Sequence, residues 1–295
     1  MSGLTAPFAD RLVALVEERR SQLCLGLDPD PSKLDPDAAP SEGNPAERAA
    51  QASFERCRSL IEQAGSACVA AKLQLACFER LGAPGWRALE RTASVARDAG
   101  LLVIADGKRG DVPVTAAVYG EALFGSTPTP WGDVPGIRAD AATANPILGA
   151  DALEPLLDQA QAAGAGLFCL VRTSNPGAAD LLDLPTPDAP LFERLARLVA
   201  ERADRLGSES GLSGVGAVVG ATEPGHLGRL RELMPRSIFL VPGVGAQGGR
   251  VTDLAPALGS EPASVLVTAS RSIAEAPDAA ARADELRAEL WDLAS

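Results

Sequence analysis

The chain has 295 residues, 46% of them hydrophobic, and a formal net charge of -12 at pH 7. This length and apolar content suit one large α/β domain over residues 1–295 with an extensive buried core. The acidic balance argues against nucleic acid or an anionic membrane as a partner, so an anionic substrate would need a local cationic pocket.

The sequence predicts a cytoplasmic protein. Its N terminus lacks a basic region followed by an apolar one, and no apolar run reaches the ~20 residues of a membrane helix. The five cysteines form no C-x-x-C pair and three of them lie in apolar runs, which is typical of buried, reduced thiols. One histidine, His226, leaves little scope for histidine-based catalysis or a His-rich metal site.

Short apolar runs alternate with helical patterns along the chain. A first helix over about 7–20 is expected to cap the bottom of the fold. The predicted strands are 22–28, 67–73, 101–106, 141–145, 166–171, 215–219, 237–241 and 264–268. Residues with helical spacing predict helices at 47–64, 85–99, 152–163, 191–206 and 224–233. Eight such strands favour a (β/α)8 TIM barrel over a doubly wound sheet, because no G-x-G-x-x-G follows the first strand.

Three segments are longer than a minimal barrel requires. Residues 29–44 follow strand one, residues 125–140 precede strand four, and residues 175–190 follow strand five. Loops of this length are usually lids, binding loops or disordered segments. The third is the best lid candidate because it lies on the catalytic side of a barrel.

A charged cluster follows the third predicted strand, where residues 106–112 read D-G-K-R-G-D-V. Strand alternation places Asp106 and Lys108 on the same side, and a turn can bring Asp111 back to the lysine. Neighbouring acids keep a lysine protonated, which suits a general acid better than a Schiff base that needs a neutral amine. A surface loop of alternating charges is the alternative, but ligands in barrels bind at the C-terminal ends of the strands.

Charged residues also end the first two strands. Lys72 would lie beside the strand-three cluster because consecutive barrel strands are neighbours; alternatively its stem packs at the barrel rim and its ammonium group reaches water. Asp28 would accept hydrogen bonds from sugar hydroxyls, or would only cap the turn that begins at Pro29. The residues alone leave both pairs of alternatives open.

The last two strands run into segments typical of phosphate binding. Residues 242–249 read P-G-V-G-A-Q-G-G after strand seven, and Arg271 follows strand eight. Barrel loops at these two places commonly bind phosphate, since glycines admit backbone N–H groups and an arginine can bind two oxygens. After strand five, Thr173 and Ser174 could contact the polar edge of a heterocycle, although chemistry alone favours turn capping.

In this order the segments resemble the orotidine 5′-phosphate decarboxylase family, and its longer bacterial subgroup in particular. Residues 106–111 fit the family signature D-x-K-x-x-D. Support comes from L-G-L-D-P-D-P at 25–31, K-L-Q at 72–74, N-P at 145–146, R-T-S-N at 172–175 and the segments after strands seven and eight. The resemblance spans about residues 22–273. It departs at Gly107 inside the signature and at Leu73, where a proline is familiar, but neither position supplies a reactive group.

The resemblance implies loss of CO2 from orotidine 5′-monophosphate (OMP) to give UMP in de novo pyrimidine biosynthesis, without a cofactor or metal. It implies a catalytic network of Lys108, Asp106, Lys72 and Asp111, with Lys108 protonating the C6 carbanion. Asp28 and Thr115 would bind the ribose, and Ser174, with Thr173 less directly, would bind the pyrimidine. Gln247, Gly248, Gly249 and Arg271 would hold the phosphate. It also implies a homodimer in which Asp111 and Thr115 reach the neighbouring subunit's site.

Two other functions remain open. Another phosphosugar enzyme on the same barrel, such as a metal-dependent β-keto acid decarboxylase, would need a further carboxylate near the cluster and Mg²⁺. A Schiff-base aldolase would need a lysine free of flanking acids. The second alternative, from a different class, is a non-catalytic nucleotide-binding barrel, but binding alone does not require so costly a charge cluster.

Overall fold

Eight parallel strands close into a barrel in the computed structural model, which describes residues 6–38, 42–221, 224–244 and 249–294. The barrel strands are β1 (Leu23–Leu27), β2 (Ala70–Gln74), β3 (Leu102–Arg109), β6 (Ala141–Ala144), β7 (Gly166–Arg172), β8 (Ser213–Val219), β9 (Ser237–Pro242) and β10 (Val265–Ala269). They neighbour one another in chain order, and β10 pairs with β1 to close the ring. This confirms the predicted (β/α)8 TIM barrel.

Helices surround the barrel. They are α1 (Phe8–Arg19), α2 (Pro45–Ala64), α3 (Leu75–Glu79), α4 (Gly82–Asp98), α5 (Pro113–Leu123), α6 (Ala150–Ala163), α7 (Leu191–Ala200), α8 (Pro224–Leu233), α9 (Arg271–Ala274) and α10 (Ala279–Ala294). The helix predicted over 191–206 ends early, because α7 stops at Ala200 and a 3-10 turn follows at Ala203–Leu206. None of the helices in the described part of the chain combines the length and apolar character needed to cross a bilayer.

The core has two layers because strand side chains alternate between the inside and the outside of the barrel. In β1, Leu23 and Leu25 face the surrounding helices, while Cys24 faces the barrel interior. Helix α1 closes the N-terminal end of the barrel: Phe8 lies edge-on to Phe168 with ring centroids 5.8 Å apart. The sealed bottom leaves the C-terminal ends of the strands as the open end.

The three long segments take different forms. Residues 29–44 hold 3-10 turns at Pro31–Lys33 and Pro36–Ala38, and residues 39–41 lie outside the described ranges. Residues 125–140 contain an antiparallel hairpin of β4 (Ser126–Thr127) and β5 (Val134–Pro135), two strands that were not predicted from the sequence. Residues 175–190 contain the 3-10 helix Pro176–Asp180.

One strand boundary matters for the site. The third strand was predicted to end at Asp106, but β3 continues to Arg109, so the first charged residues lie within the strand. Between Ala105, which pairs with Ala142, and Arg109, which pairs with Ala144, the register with β6 shifts. This bulge lets the chain remain in the sheet while its side chains are re-aimed.

Candidate active site

The open end of the barrel holds a cleft of about 280 Å³. Its lining residues come from or directly follow seven of the eight barrel strands, all except β7. They include Asp28, Lys72, Gln74, Asp106, Lys108, Thr143, Pro242, Gly243, Thr268, Ser270 and Arg271. Five of the positions singled out in the sequence therefore line one cavity: Asp28, Lys72, Asp106, Lys108 and Arg271.

Asp106 lies at the centre of the charged cluster and is only 4% exposed. Its Oδ2 is 2.6 Å from Lys72 Nζ, and its Oδ1 is 2.5 Å from Lys108 Nζ. Lys72 Nζ also lies 3.7 Å from Asp28 Oδ1. The open question about Lys72 is thereby answered in favour of the cluster, since its side chain is buried between two carboxylates rather than extended to the rim.

Opposite charges within the cluster stabilise the ionised forms of Asp106 and Lys72. Burial alone would raise the pKa of Asp106, but the two lysines outweigh it and lower the pKa to about 2. Burial likewise opposes the charge on Lys72, but Asp106 and Asp28 outweigh it and raise the pKa of that lysine above its ordinary value. Both groups are thus charged at neutral pH, and Lys108, paired with Asp106, is the more exposed of the two lysines.

Two neutral side chains, neither assigned a role from the sequence, also contact Asp106. Thr143 Oγ1 donates to Asp106 Oδ1 over 2.8 Å, and Gln74 Nε2 lies 3.4 Å from Oδ2. A signal for Thr143 existed: it lies two residues after Ala141, which faces the barrel interior, so alternation points its hydroxyl inward as well.

The wall of the cleft beside Lys72 depends on a close approach of β1 to the end of β10, and Gly26 of β1 pairs with Lys72. A Cβ on Gly26 would lie 1.8 Å from Ser270 Oγ, so only glycine fits there. Asp28 and Arg271 both line the cleft on this side. Arg271 is exposed and pairs with no acid among the residues that the structure describes, so its guanidinium is available to an anion.

Asp111 is not brought back to Lys108 within the chain, contrary to the turn expected from the sequence. Its Oδ1 accepts from the backbone N–H of Val112 at 2.7 Å, and it forms no ion pair with another described residue. The next residues begin α5, where Val112, Val114 and Val118 are 56%, 81% and 58% exposed. Thr115 lies in the first turn of this helix and is half-buried.

The segment after β7 is tied down by an ion pair. Arg172 Nε and Nη2 lie 2.9 and 3.0 Å from the two carboxylate oxygens of Asp183, which joins the strand to the 175–190 segment. Thr173 Oγ1 donates to Asn175 Oδ1 at 2.7 Å, a turn-type contact. Ser174 packs against Gly220, where a Cβ would lie 2.7 Å from that of Ser174.

The expected phosphate segment is described only in part. Gln247 and Gly248 lie outside the described residues. Gly249 is described, and its N–H donates to the carbonyl oxygen of Gly243 at 3.3 Å. Gly243, at φ +104°, is in a conformation that suits glycine and begins the turn after β9 at the cleft.

The cysteines are unsuited to nucleophilic chemistry. All five are free thiols, and four are buried. Burial raises the pKa of Cys24, below the lysine cluster, and of Cys169 to about 12. The chemistry of the cleft therefore rests on its carboxylates and ammonium groups, which can stabilise and protonate a carbanion.

Comparison with known proteins agrees with this geometry. Residues 21–286 match the model of the orotidine 5′-phosphate decarboxylase / HUMPS family. An orotidine 5′-phosphate decarboxylase of Rhodopirellula baltica is 39% identical over 270 residues, covering 90% of this chain and 87% of the relative. One from Deinococcus radiodurans is 38% identical, covering 92% and 90%. The structure of Leishmania donovani OMP decarboxylase superposes with a TM-score of 0.76 at 34% identity, covering 97% and 98%.

Proposed function

The chain belongs to the orotidine 5′-phosphate decarboxylase / HUMPS family, and we propose that it converts orotidine 5′-monophosphate to UMP and CO2. The observation that carries this function is the Lys72–Asp106–Lys108 cluster at the open end of the barrel. It combines a buried carboxylate with two ammonium groups beside a cavity, as decarboxylation to a carbanion requires. A synthase or aldolase that uses a Schiff base would instead need a neutral lysine amine.

In the proposed reaction, Lys108 acts on C6 of the pyrimidine. Breaking the C6–carboxylate bond leaves an electron pair on C6, and CO2 departs. The Lys108 ammonium stabilises this developing negative charge and then transfers its proton to C6, giving UMP. Solvent returns a proton to Lys108. Asp106 holds this ammonium in place, and Lys72 in turn holds Asp106.

We assign the remaining contacts by position in the cleft. Asp28, 3.7 Å from Lys72, would accept hydrogen bonds from ribose hydroxyls. Arg271 would bind the 5′-phosphate, helped by Gln247, Gly248 and Gly249. Ser174 would contact the pyrimidine edge, with Thr173 in support. Binding energy from the distant phosphate would then favour closure of loops over the reacting end.

We propose that the working unit is a homodimer with shared sites. Asp111 forms no ion pair with described residues of its own chain, and the exposed valines at 112, 114 and 118 place an apolar strip beside it. A second copy covering this strip would bury the valines and bring Asp111 and Thr115 towards the neighbouring cleft. We also place the protein in the cytoplasm, which the five free cysteines support.

The test is an absorbance assay of OMP decarboxylation by the purified protein, with and without EDTA. Equal turnover in both is expected. No turnover would contradict the proposed function, and turnover that EDTA abolishes would favour a metal-dependent decarboxylase. If OMP binds without turnover, the chain is a non-catalytic nucleotide-binding barrel.

A further inference from the structure

The bulge in β3 leaves a backbone donor without a strand partner. Asp106, Gly107 and Lys108 lie between the paired residues Ala105 and Arg109, and opposite them β6 supplies one residue, Thr143. Lys108 is in the left-handed region, with φ +47°, which is strained for a residue with a side chain. Such a conformation persists only where neighbouring contacts fix it.

Thr143 supplies those contacts. Its side chain is buried, and its Oγ1 accepts the backbone N–H of Lys108 at 2.9 Å. The same hydroxyl donates to Asp106 Oδ1 at 2.8 Å, the oxygen that also binds Lys108 Nζ at 2.5 Å. The Thr143 hydroxyl thus binds both the backbone N–H of Lys108 and Asp106, the carboxylate that holds the Lys108 ammonium group. These contacts form a closed ring of hydrogen bonds.

We propose that Thr143 is a positioning residue for the proton donor. Its hydroxyl holds the Lys108 backbone in the bulge and fixes Asp106 Oδ1, and through both it aims the Lys108 ammonium into the cleft. This inference rests on the proposed function for its kinetic consequence, but the hydrogen-bond ring itself does not depend on the substrate.

The chain offers well-matched variants. Thr143→Val keeps the shape and removes the hydroxyl, whereas Thr143→Ser keeps the hydroxyl and removes the methyl group. Thr92 is an equally buried threonine in α4 whose hydroxyl donates to Ala88 O at 2.8 Å, away from the cleft. Thr92→Val therefore controls for the general effect of removing a buried hydroxyl.

The experiment measures kcat for OMP, affinity for UMP and hydrogen exchange at the Lys108 amide. We expect Thr143→Val to lower kcat roughly tenfold to a hundredfold while UMP affinity stays within about twofold, because ligand contacts remain and only the donor is displaced. Thr143→Ser should recover most of the activity, and Thr92→Val should match the wild type in kcat. The Lys108 amide should exchange slowly in the wild type and in Thr143→Ser, and faster in Thr143→Val.

Three results would overturn the proposal: wild-type kcat in Thr143→Val, a Ser variant as defective as the Val variant, or an unprotected Lys108 amide in the wild-type protein. The last needs no variant, so it decides the matter even if Thr143→Val fails to fold. If the wild type does not turn over OMP, the proposed function fails, while the exchange measurements still decide the positioning role.

Discussion

Lys72 Nζ lies 2.6 Å from Asp106 Oδ2, and the side chains of both residues are almost completely buried, at 6% and 5% exposure. An ion pair in such a place returns little net stability after the loss of hydration, but it is costly to break from one side. Asp106 also binds Lys108. The buried pair therefore fixes the carboxylate that holds the more exposed ammonium group of Lys108.

Removal of Lys72 should therefore destabilise the fold more than removal of Lys108. Thr143 and Lys108 would remain on Asp106 in Lys72→Met, but its Oδ2 would lose its ammonium partner inside the protein. We expect a loss of about 3 kcal/mol in the free energy of unfolding. Lys108→Met is the matched control, with a smaller loss because its side chain is 39% exposed. Urea unfolding measures both, and an equal or smaller loss in Lys72→Met would refute the account of the buried pair.

Lys108→Ala should remove catalysis and leave the fold intact. Asp106 would keep Lys72 as its partner, so thermal unfolding should change little, while kcat should fall by at least about 10²-fold because the proton donor is absent. Lys33 is the only other lysine in the chain outside the cluster, and its exposed ammonium pairs with Glu275 at 3.1 Å. Lys33→Ala should retain normal turnover. Near-normal kcat in Lys108→Ala would rule it out as the donor.

Acid should weaken the cluster in a defined range. The pKa of Asp106 is lowered from 3.8 to about 2 on folding, so its ionisation stabilises the fold above pH 3.8, and this contribution is lost as the pH falls through about 2. The difference is worth about 2 kcal/mol. Urea unfolding from pH 7 to pH 2 should show Asp106→Asn less stable than the wild type at neutral pH, with the gap narrowing below pH 4. A stability difference between the two proteins that does not depend on pH would contradict the ionisation of Asp106 as its cause.

The raised pKa of Lys72 concerns stability at alkaline pH. Its charged form stabilises the fold fully below the ordinary lysine pKa of 10.5, and the contribution disappears only as the pH rises through the higher folded value. Between pH 5 and 9 the cluster should therefore add no pH dependence of its own to stability. The contrary result would be a change in the free energy of unfolding between pH 5 and 9 that is absent in Lys72→Met. It would mean that Lys72 loses its proton at a lower pH than its carboxylate partners imply.

Asp111 offers a test of shared sites. Asp111→Ala and Lys108→Ala should each be inactive alone, because each removes a group from every site. After the two proteins are mixed and their subunits exchanged, heterodimers should contain one site with both groups intact, restoring roughly a quarter of wild-type activity if pairing is random. Mixing with no recovery, despite subunit exchange shown by mass spectrometry, would place Asp111 in its own chain's site.

Much of this site could be predicted because strand order and strand polarity constrain it. Once eight strands alternate with helices, their carboxyl ends meet at one end of a barrel, so Asp28, Lys72, Asp106 and Arg271 must converge. Their convergence required no knowledge of distances. Sequence pattern also distinguishes inward from outward residues, which is why Asp106 and Lys108 were expected on the same side.

The bulge could not be predicted, and the role of Thr143 depends on it. The sequence placed the end of the strand at Asp106, since Gly107 and Gly110 resemble turn residues. The chain stays in the sheet because Thr143 Oγ1 accepts a hydrogen bond from the Lys108 N–H, which the irregular register leaves without a strand partner. A hydrogen bond of this kind, in which a side chain replaces a backbone partner, depends on the pairing of two strands far apart in sequence. The hairpin of β4 and β5 was missed for a related reason, since its strands are too short to show alternation.

The role of Lys108 as the proton donor can be measured from the product formed from OMP in D2O, analysed by proton NMR, for the wild type and Lys108→Ala. We expect UMP with deuterium at C6 from the wild-type protein, because the Lys108 ammonium exchanges with solvent before it protonates the carbanion, and no detectable product from Lys108→Ala. UMP carrying ordinary hydrogen at C6, or product formed equally by both proteins, would contradict that role.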